Sequence, residues 1–272
     1  SRLSRRGRRV AVVAVVATIG LTAATTRIRG VTGDLVPVLE WRWTSRDAPA
    51  LKLEPLPVPP AQMQTAAAPP PTSVAPEPGA PSLPAAVAPA SVESSAPDRV
   101  AGDYPQFLGE TRNGAVAGVR IADDWAARPP KEVWRRPIGA GWSGFAVAGG
   151  LAVTQEQRGG REMVVAYRLA DGSPKWSHGD DAHYESTIAG EGPRATPTIS
   201  RGRVFTLGST GLLNCLDLET GKAIWQRDIA ADNDSPPPEW GRSSSPLIVD
   251  DLVIVSAGGP SGRSLVAYQR ES

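Results

Sequence analysis

Six residues carry the groups with the strongest claim to chemistry, in segments otherwise built of small and β-branched residues: Glu156, Glu191, Arg194, Glu239, Trp240 and Arg242. They lie in "TQEQRGG" (154–160), "AGEGPRATP" (189–197) and "PEWGRSSSP" (238–246). Carboxylates there could accept hydrogen bonds, hold a hard cation or act as a base. Arg194 and Glu191 could bond blade to blade, or the group could bind a ligand or partner. Histidine chemistry has little material: His178 and His183 are the only two, and "HGDDAH" (178–183) lacks a metal-ligand spacing, so it reads as a solvated loop and no metal site is assigned. The single cysteine, Cys215, permits no intrachain disulfide. "GGPSGRS" (258–264) lacks the Gly-Lys-Ser/Thr ending of a phosphate loop and reads as a hairpin turn.

The elements that must position these groups differ sharply along the 272 residues. Residues 1–9, "SRLSRRGRR", form a basic end with five arginines, and residues 10–26 are uncharged and mostly apolar. The pattern is read as a transmembrane helix over 10–26, with a signal-peptide core or a buried helix as the other readings. More arginines precede the run than follow it. That puts the N-terminus in the cytoplasm and the remainder in the periplasm, at the inner membrane of a bacterium. Residues 27–47 form a juxtamembrane segment whose Trp41 and Trp43 could sit at headgroup level or in a short packed strand. Residues 48–100 are a Pro/Ala-rich linker: fourteen of the 27 prolines fall between Pro49 and Pro97. Repeated proline removes donors and favours an extended, disordered spacer. The net charge of +1 leaves no basic excess, so no nucleic-acid partner is expected.

From Asp103 onward the chain reads as all-β, and it repeats. "VAGGLAVT" (147–154), "ISRGRVFT" (199–206) and "IVDDLVIV" (248–255) are each a strand, a tight turn and a second strand. "VVAYRLADGSPKW" and "LNCLDLETGKAIW" follow, and "LVAYQRES" starts a third copy. Tyr167, Leu216 and Tyr268 correspond. Asp171 or Glu219 opens the turn, Gly172 or Gly221 closes it, and Trp176 or Trp225 follows on the next strand. "KEVWRRPI" (131–138) looks like the Trp-bearing strand of a preceding unit, at Trp134. Units of about fifty residues with four short strands each cannot bury both sheet faces alone, and stacking them gives a β-propeller. In "LLNCLDL" Leu213 and Cys215 take one side and Leu216 and Leu218 the other, so Cys215 is expected in the core. The loops at 189–197 and 238–246 lead into the innermost strands. They would line one mouth of the central channel, either bonding blade to blade or binding a ligand or partner.

These repeats resemble the pyrroloquinoline quinone (PQQ) repeat, with its "LDxxTGxxxW" turn, and "DYPQFLGETRNG" (103–114) resembles the "WPQFRGPxRxG" segment that opens many PQQ-like propellers. The resemblance covers 103–272 and implies an incomplete PQQ-like β-propeller of about three four-stranded blades, the first part of a longer protein. It leaves two activities open. BamB-like relatives are scaffolds without a cofactor. Quinoprotein alcohol or sugar dehydrogenases bind PQQ and Ca²⁺ and usually carry a vicinal cysteine pair, which one cysteine excludes. The reading adopted is a binding or assembly scaffold held to the membrane, taking a protein or small molecule on the propeller face and needing no cofactor. A PQQ-dependent dehydrogenase is the alternative.

Overall fold

The computed structural model describes residues 5–31, 37–43, 54–57, 102–186 and 189–271. The chain opens with helix α1 (Arg5–Thr25), followed by the antiparallel pair β1 (Thr26–Val31) and β2 (Pro37–Trp41). The transmembrane expectation fails here: among the described residues no helix is long and apolar enough to cross a membrane. Four arginines fall inside the first turns of the 21-residue helix, and Gly20, Thr18, Thr22 and Thr25 dilute the rest. The three threonine hydroxyls donate back to the carbonyls of Ala14, Thr18 and Leu21 at 2.8, 2.9 and 2.7 Å. Trp41 and Trp43 stack on each other at 6.1 Å and both stay exposed. Most of the Pro/Ala-rich linker lies outside the described residues. Its residues 54–57 depart from the free-spacer expectation, because they rest on the first blade.

Three consecutive antiparallel sheets follow. Blade one is β3 (Ala146–Ala148), β4 (Leu151–Arg158), β5 (Arg161–Arg168) and β6 (Pro174–Asp180). A short pair, β7 (Glu185–Ser186) and β8 (Gly190–Glu191), lies in the next connection. Blade two is β9 (Thr198–Ser200), β10 (Arg203–Leu207), β11 (Leu212–Asp217) and β12 (Ala223–Asp228). After the one-turn helix α2 (Ile229–Asp232), blade three shows β13 (Leu247–Val249), β14 (Leu252–Ser256) and β15 (Leu265–Gln269). Within each sheet the strands pair in chain order, so each blade is a simple meander. The expected hairpins are all formed: Gly149 and Gly150, Arg201 and Gly202, and Asp250 take the positive φ these tight turns need.

Side-chain alternation explains the stacking. On β11, Leu216 faces blade one, packing with Val153, Val164, Ala166 and Trp176. Leu213 and Cys215 face blade three, packing with Val253 and Val255. Cys215 is fully buried, as its spacing predicts, and burial pushes its thiol up to about 12. One bulge recurs at equivalent places, between Ala166 and Tyr167 and between Cys215 and Leu216. It adds Lys175 or Ile224 to the outer strand and turns the following tryptophan toward the next blade.

That tryptophan makes one bond three times. Trp176 Nε1 donates to the Leu218 carbonyl at 2.8 Å, and Trp225 Nε1 to the Arg270 carbonyl at 2.9 Å. Trp134 Nε1 donates to the Leu169 carbonyl at 2.8 Å. Residues 131–138 form no strand, contrary to expectation, yet Trp134 holds against blade one the place that Trp176 holds against blade two. The turn carboxylate also differs from expectation in the second copy. Asp217 accepts from Thr220 N and Oγ1 at 2.8 and 2.6 Å, while Glu219 reaches across the seam to Lys175.

The segment 103–114 runs along the inner edges of the blades. Tyr104 and Val147 exchange both backbone bonds at 2.8 Å. Ile199 N donates to the Pro105 carbonyl at 2.7 Å, and Arg112 Nη2 donates to the Pro246 carbonyl at 2.7 Å. One segment thus touches all three blades and covers inner strand edges that would otherwise be open.

Candidate functional site

The connections that enter the inner strands, 139–145, 189–197 and 233–246, gather at one end of the stack, together with the β4–β5, β10–β11 and β14–β15 hairpin loops. A hydroxyl ladder stitches them: Gly144 N donates to Thr196 Oγ1 at 3.1 Å, and Thr196 N donates to Ser245 Oγ at 3.0 Å. Thr198 Oγ1 adds a bond to the Pro246 carbonyl at 2.6 Å. The three loops therefore form one supported rim.

Arg194 braces its own loop. It donates to the carbonyls of Ala189 at 2.8 Å, Gly190 at 2.9 Å and Gly192, and lies 4.6 Å from the centre of the Tyr184 ring. Tyr184 Oη in turn donates to the Glu239 carbonyl, linking this loop to the next. Arg242, only 4% exposed, donates Nη1 to the Ala257 carbonyl at 2.5 Å and Nη2 to Ser235 Oγ at 3.2 Å and to the Ser235 carbonyl. Its Nε has no partner. Burial lowers both arginines from their ordinary value. Glu191 lies on β8, 3.9 Å from His183, which is also 3.9 Å from Glu185.

Glu156 is placed differently from the other five. It sits inside β4, fully buried, on the face of blade one turned away from blade two. Its carboxylate accepts from Gly139 N at 2.5 Å, Arg158 Nε at 2.8 Å and Tyr167 Oη at 3.1 Å. Burial, then the Glu156 charge, pushes the Tyr167 phenol up. Trp240 stands at the rim with 52% of its surface exposed, and Trp142, from the equivalent loop of blade one, with 69%. The 233–246 loop and the end of β14 also line a cavity of about 220 Å³, bounded by Ser235, Pro238, Arg242, Ser243, Ser244 and Ser256, among others.

Sequence reasoning missed the polar seam between blades one and two. His178 and Asp180, expected in a solvated loop, lie on β6. Asp180 accepts from Asn214 Nδ2 and Gln226 Nε2, both at 2.7 Å, and His178 Nε2 lies 3.3 Å away. Burial opposes its charge, but these bonds and the imidazole outweigh burial and hold the carboxyl below its ordinary value. Glu162 accepts Ser209 N at 3.1 and 3.2 Å, and burial raises its carboxyl. Polar residues at alternate positions of β4–β6 were the available signal, since a strand between two blades is otherwise apolar. Among the described residues no group of three or more His, Cys, Asp or Glu could hold a metal ion.

Residues 182–272 match the family model described as "Outer membrane protein assembly factor BamB". No curated protein matches the chain. Among solved structures, quinohemoprotein alcohol dehydrogenase from Comamonas testosteroni is 17% identical over 62% of this chain and 26% of its own, with a TM-score of 0.47. BamB from Moraxella catarrhalis is 19% identical over 45% of this chain and 31% of its own, with a TM-score of 0.30. A europium-containing methanol dehydrogenase is 18% identical over 49% and 23%, with a TM-score of 0.36. The chain thus spans about a quarter to a third of the length of these structures. Over residues 182–272, where blades two and three repeat the phrase of blade one, the chain is thus similar to the PQQ-like repeat family that this model describes.

Proposed function

We propose that this chain is a binding scaffold that works outside the cytoplasm and takes a protein partner on the loop-bearing rim of its propeller. One observation carries the reading. Trp142 and Trp240 stand exposed on a rim whose arginines are already engaged with backbone carbonyls. Exposed tryptophans on a rigid, internally satisfied support suit a docking surface, where rigid aromatic anchors dominate binding energy. The assembly-factor description of the matching family model supports a protein partner. The basic start followed by a short apolar run supports export, which needs fewer apolar residues than a membrane span.

The dehydrogenase reading asks for cationic groups facing the carboxylates of PQQ and hard oxygen ligands for Ca²⁺. The described rim offers Arg194 and Arg242, both held by carbonyls, and no acidic cluster. These residues do not fit the pair, and no step is derived through it.

The test is site-specific photocrosslinking in cells from position 142 or 240, with position 202 at the opposite end as control. A discrete protein adduct from the rim positions alone is expected. Equal labelling from all three, or none, sinks the reading.

A further inference from the structure

Ser209 is the point at which blade one meets two rim connections at once. It is fully buried, in the hairpin between β10 and β11. Its N–H donates to both oxygens of Glu162, on β5 of blade one, at 3.1 and 3.2 Å. Its Oγ donates to the Gly192 carbonyl at 3.1 Å, in the connection 189–197. Its own carbonyl accepts from Arg242 N at 3.0 Å, in the connection 233–246. The Gly192 carbonyl also accepts from Arg194, and Gly192 N donates to the Tyr184 carbonyl at 2.9 Å. The connections that carry Arg194, Trp240 and Arg242 are therefore tied, through one residue, to one carboxylate.

That carboxylate is held where its charge is costly. Glu162 is 4% exposed, in a seam flanked by β5 and β6 on one side and by the β10–β11 hairpin on the other. Its register partner on β6 is Asp180, so two carboxylates stand opposite each other on paired strands. Asp180 is supported in its charge by Asn214, Gln226 and His178. Arg194 favours the Glu162 charge from the connection 189–197, but its guanidinium is engaged by carbonyls. The register partner on β4 is Gln157, and residues 208–211 of the hairpin carry no charged side chain. Burial first of all, and Asp180 in addition, raise the Glu162 carboxyl; the Ser209 bonds and Arg194 lower it by less. We infer that Glu162 is a proton-responsive positioning residue for the rim: with its proton bound, the Ser209 hairpin and both connections stay closed over the seam, and loss of that proton to solvent frees the three together. Opening returns the carboxyl to water and to its ordinary range, so the open form gives up the proton more readily. Opening is then favoured as pH rises from the ordinary carboxyl range through the raised value. The change lies in the rim's own order and needs no partner.

Hydrogen exchange in the full chain reads this latch at three amides, those of Ser209, Gly192 and Arg242. Their protection, corrected for the intrinsic pH dependence of exchange, should fall severalfold and together as pH rises. Amides within β5 and β10 should keep theirs. Glu162→Gln leaves an acceptor for Ser209 N without the charge, and should hold all three amides at their low-pH protection throughout. His178 and His183 remain in that variant, so a fall that survives Glu162→Gln belongs to them and overturns the assignment. Ser209→Ala removes only the Oγ bond to Gly192. The Gly192 amide should then exchange faster at every pH and lose its pH response, while the amides at 209 and 242 keep theirs. A Gly192 amide that still follows the other two overturns the coupling through Ser209. A response spread evenly through both blades, or no response in the unmodified chain, overturns the latch.

Discussion

Trp176 lies against Gly221 across the seam between blades one and two: a β-carbon added to Gly221 would stand 2.5 Å from Trp176 Cδ2, while the indole N–H reaches the Leu218 carbonyl. Gly172 and Trp134 repeat the arrangement, with a clash at 2.6 Å. The glycine therefore serves two ends, a φ of +69° and a flat bed for the ring. Gly202 supplies the contrast, with φ at +71° and open space above it. Gly202→Ala should cost about 1 kcal/mol for the left-handed backbone alone. Gly221→Ala should cost about 1–3 kcal/mol more, for overpacking against the ring. Urea unfolding of the two variants decides it, and equal losses would mean that the ring does not depend on the glycine.

The polar seam should give stability two opposite pH slopes. Burial raises the Glu162 carboxyl, so the folded chain holds that proton more tightly than the unfolded one. Stability from this group falls as pH rises from the ordinary carboxyl range through the raised value. Asp180 is held low by its partners, so it contributes stability above its ordinary value, lost as pH falls through the lowered one. Melting temperature against pH should therefore flatten on the upper side in Glu162→Gln and on the acid side in Asp180→Asn. Unchanged profiles would remove both groups from the linkage.

The strand–turn–strand phrase was legible because each position in it answers to backbone geometry: a turn glycine, a tight hairpin pair, a tryptophan at fixed distance. The alternation of Leu213 and Cys215 against Leu216 and Leu218 likewise follows from a period of two. The site was less legible. Whether Arg242 meets a ligand or the Ser235 and Ala257 carbonyls depends on loops that approach only after blades stack, and nothing local encodes that approach. Glu156 stood among the candidate carboxylates because its partners, Tyr167 and Gly139, come from an adjacent strand and from the connection that enters β3, neither local to it in sequence. The helix was misjudged on composition, since Gly20 and three threonines dilute an apolar run already short for a span.

Arg112 ties the inner-edge segment to blade three through the Pro246 carbonyl, and its guanidinium also meets Gln106 Oε1 at 3.0 Å. Arg112→Ala removes a charged hydrogen bond worth about 1.5–3 kcal/mol. The loss should be local, so hydrogen exchange should speed at β13 while the amides of β4 and β5 keep their protection. Uniform loss across the three blades would show instead that the segment is needed for the whole stack.

Arg242 and Trp240 are neighbours on the rim with separable roles. Trp240 is half exposed, so Trp240→Ala should change stability by no more than about 0.5 kcal/mol. Its loss should fall on partner capture, because an exposed ring contributes chiefly when another surface covers it. Arg242 spans the Ala257 carbonyl and Ser235, a geometry a single ammonium cannot reproduce. Arg242→Lys should therefore destabilise the chain by about 1–3 kcal/mol and open the 233–246 loop to protease before any partner is added. If Trp240→Ala destabilised as much as Arg242→Lys, the ring would be part of the fold's support. The docking surface would then have to lie elsewhere on the rim, with Trp142 as its remaining exposed anchor.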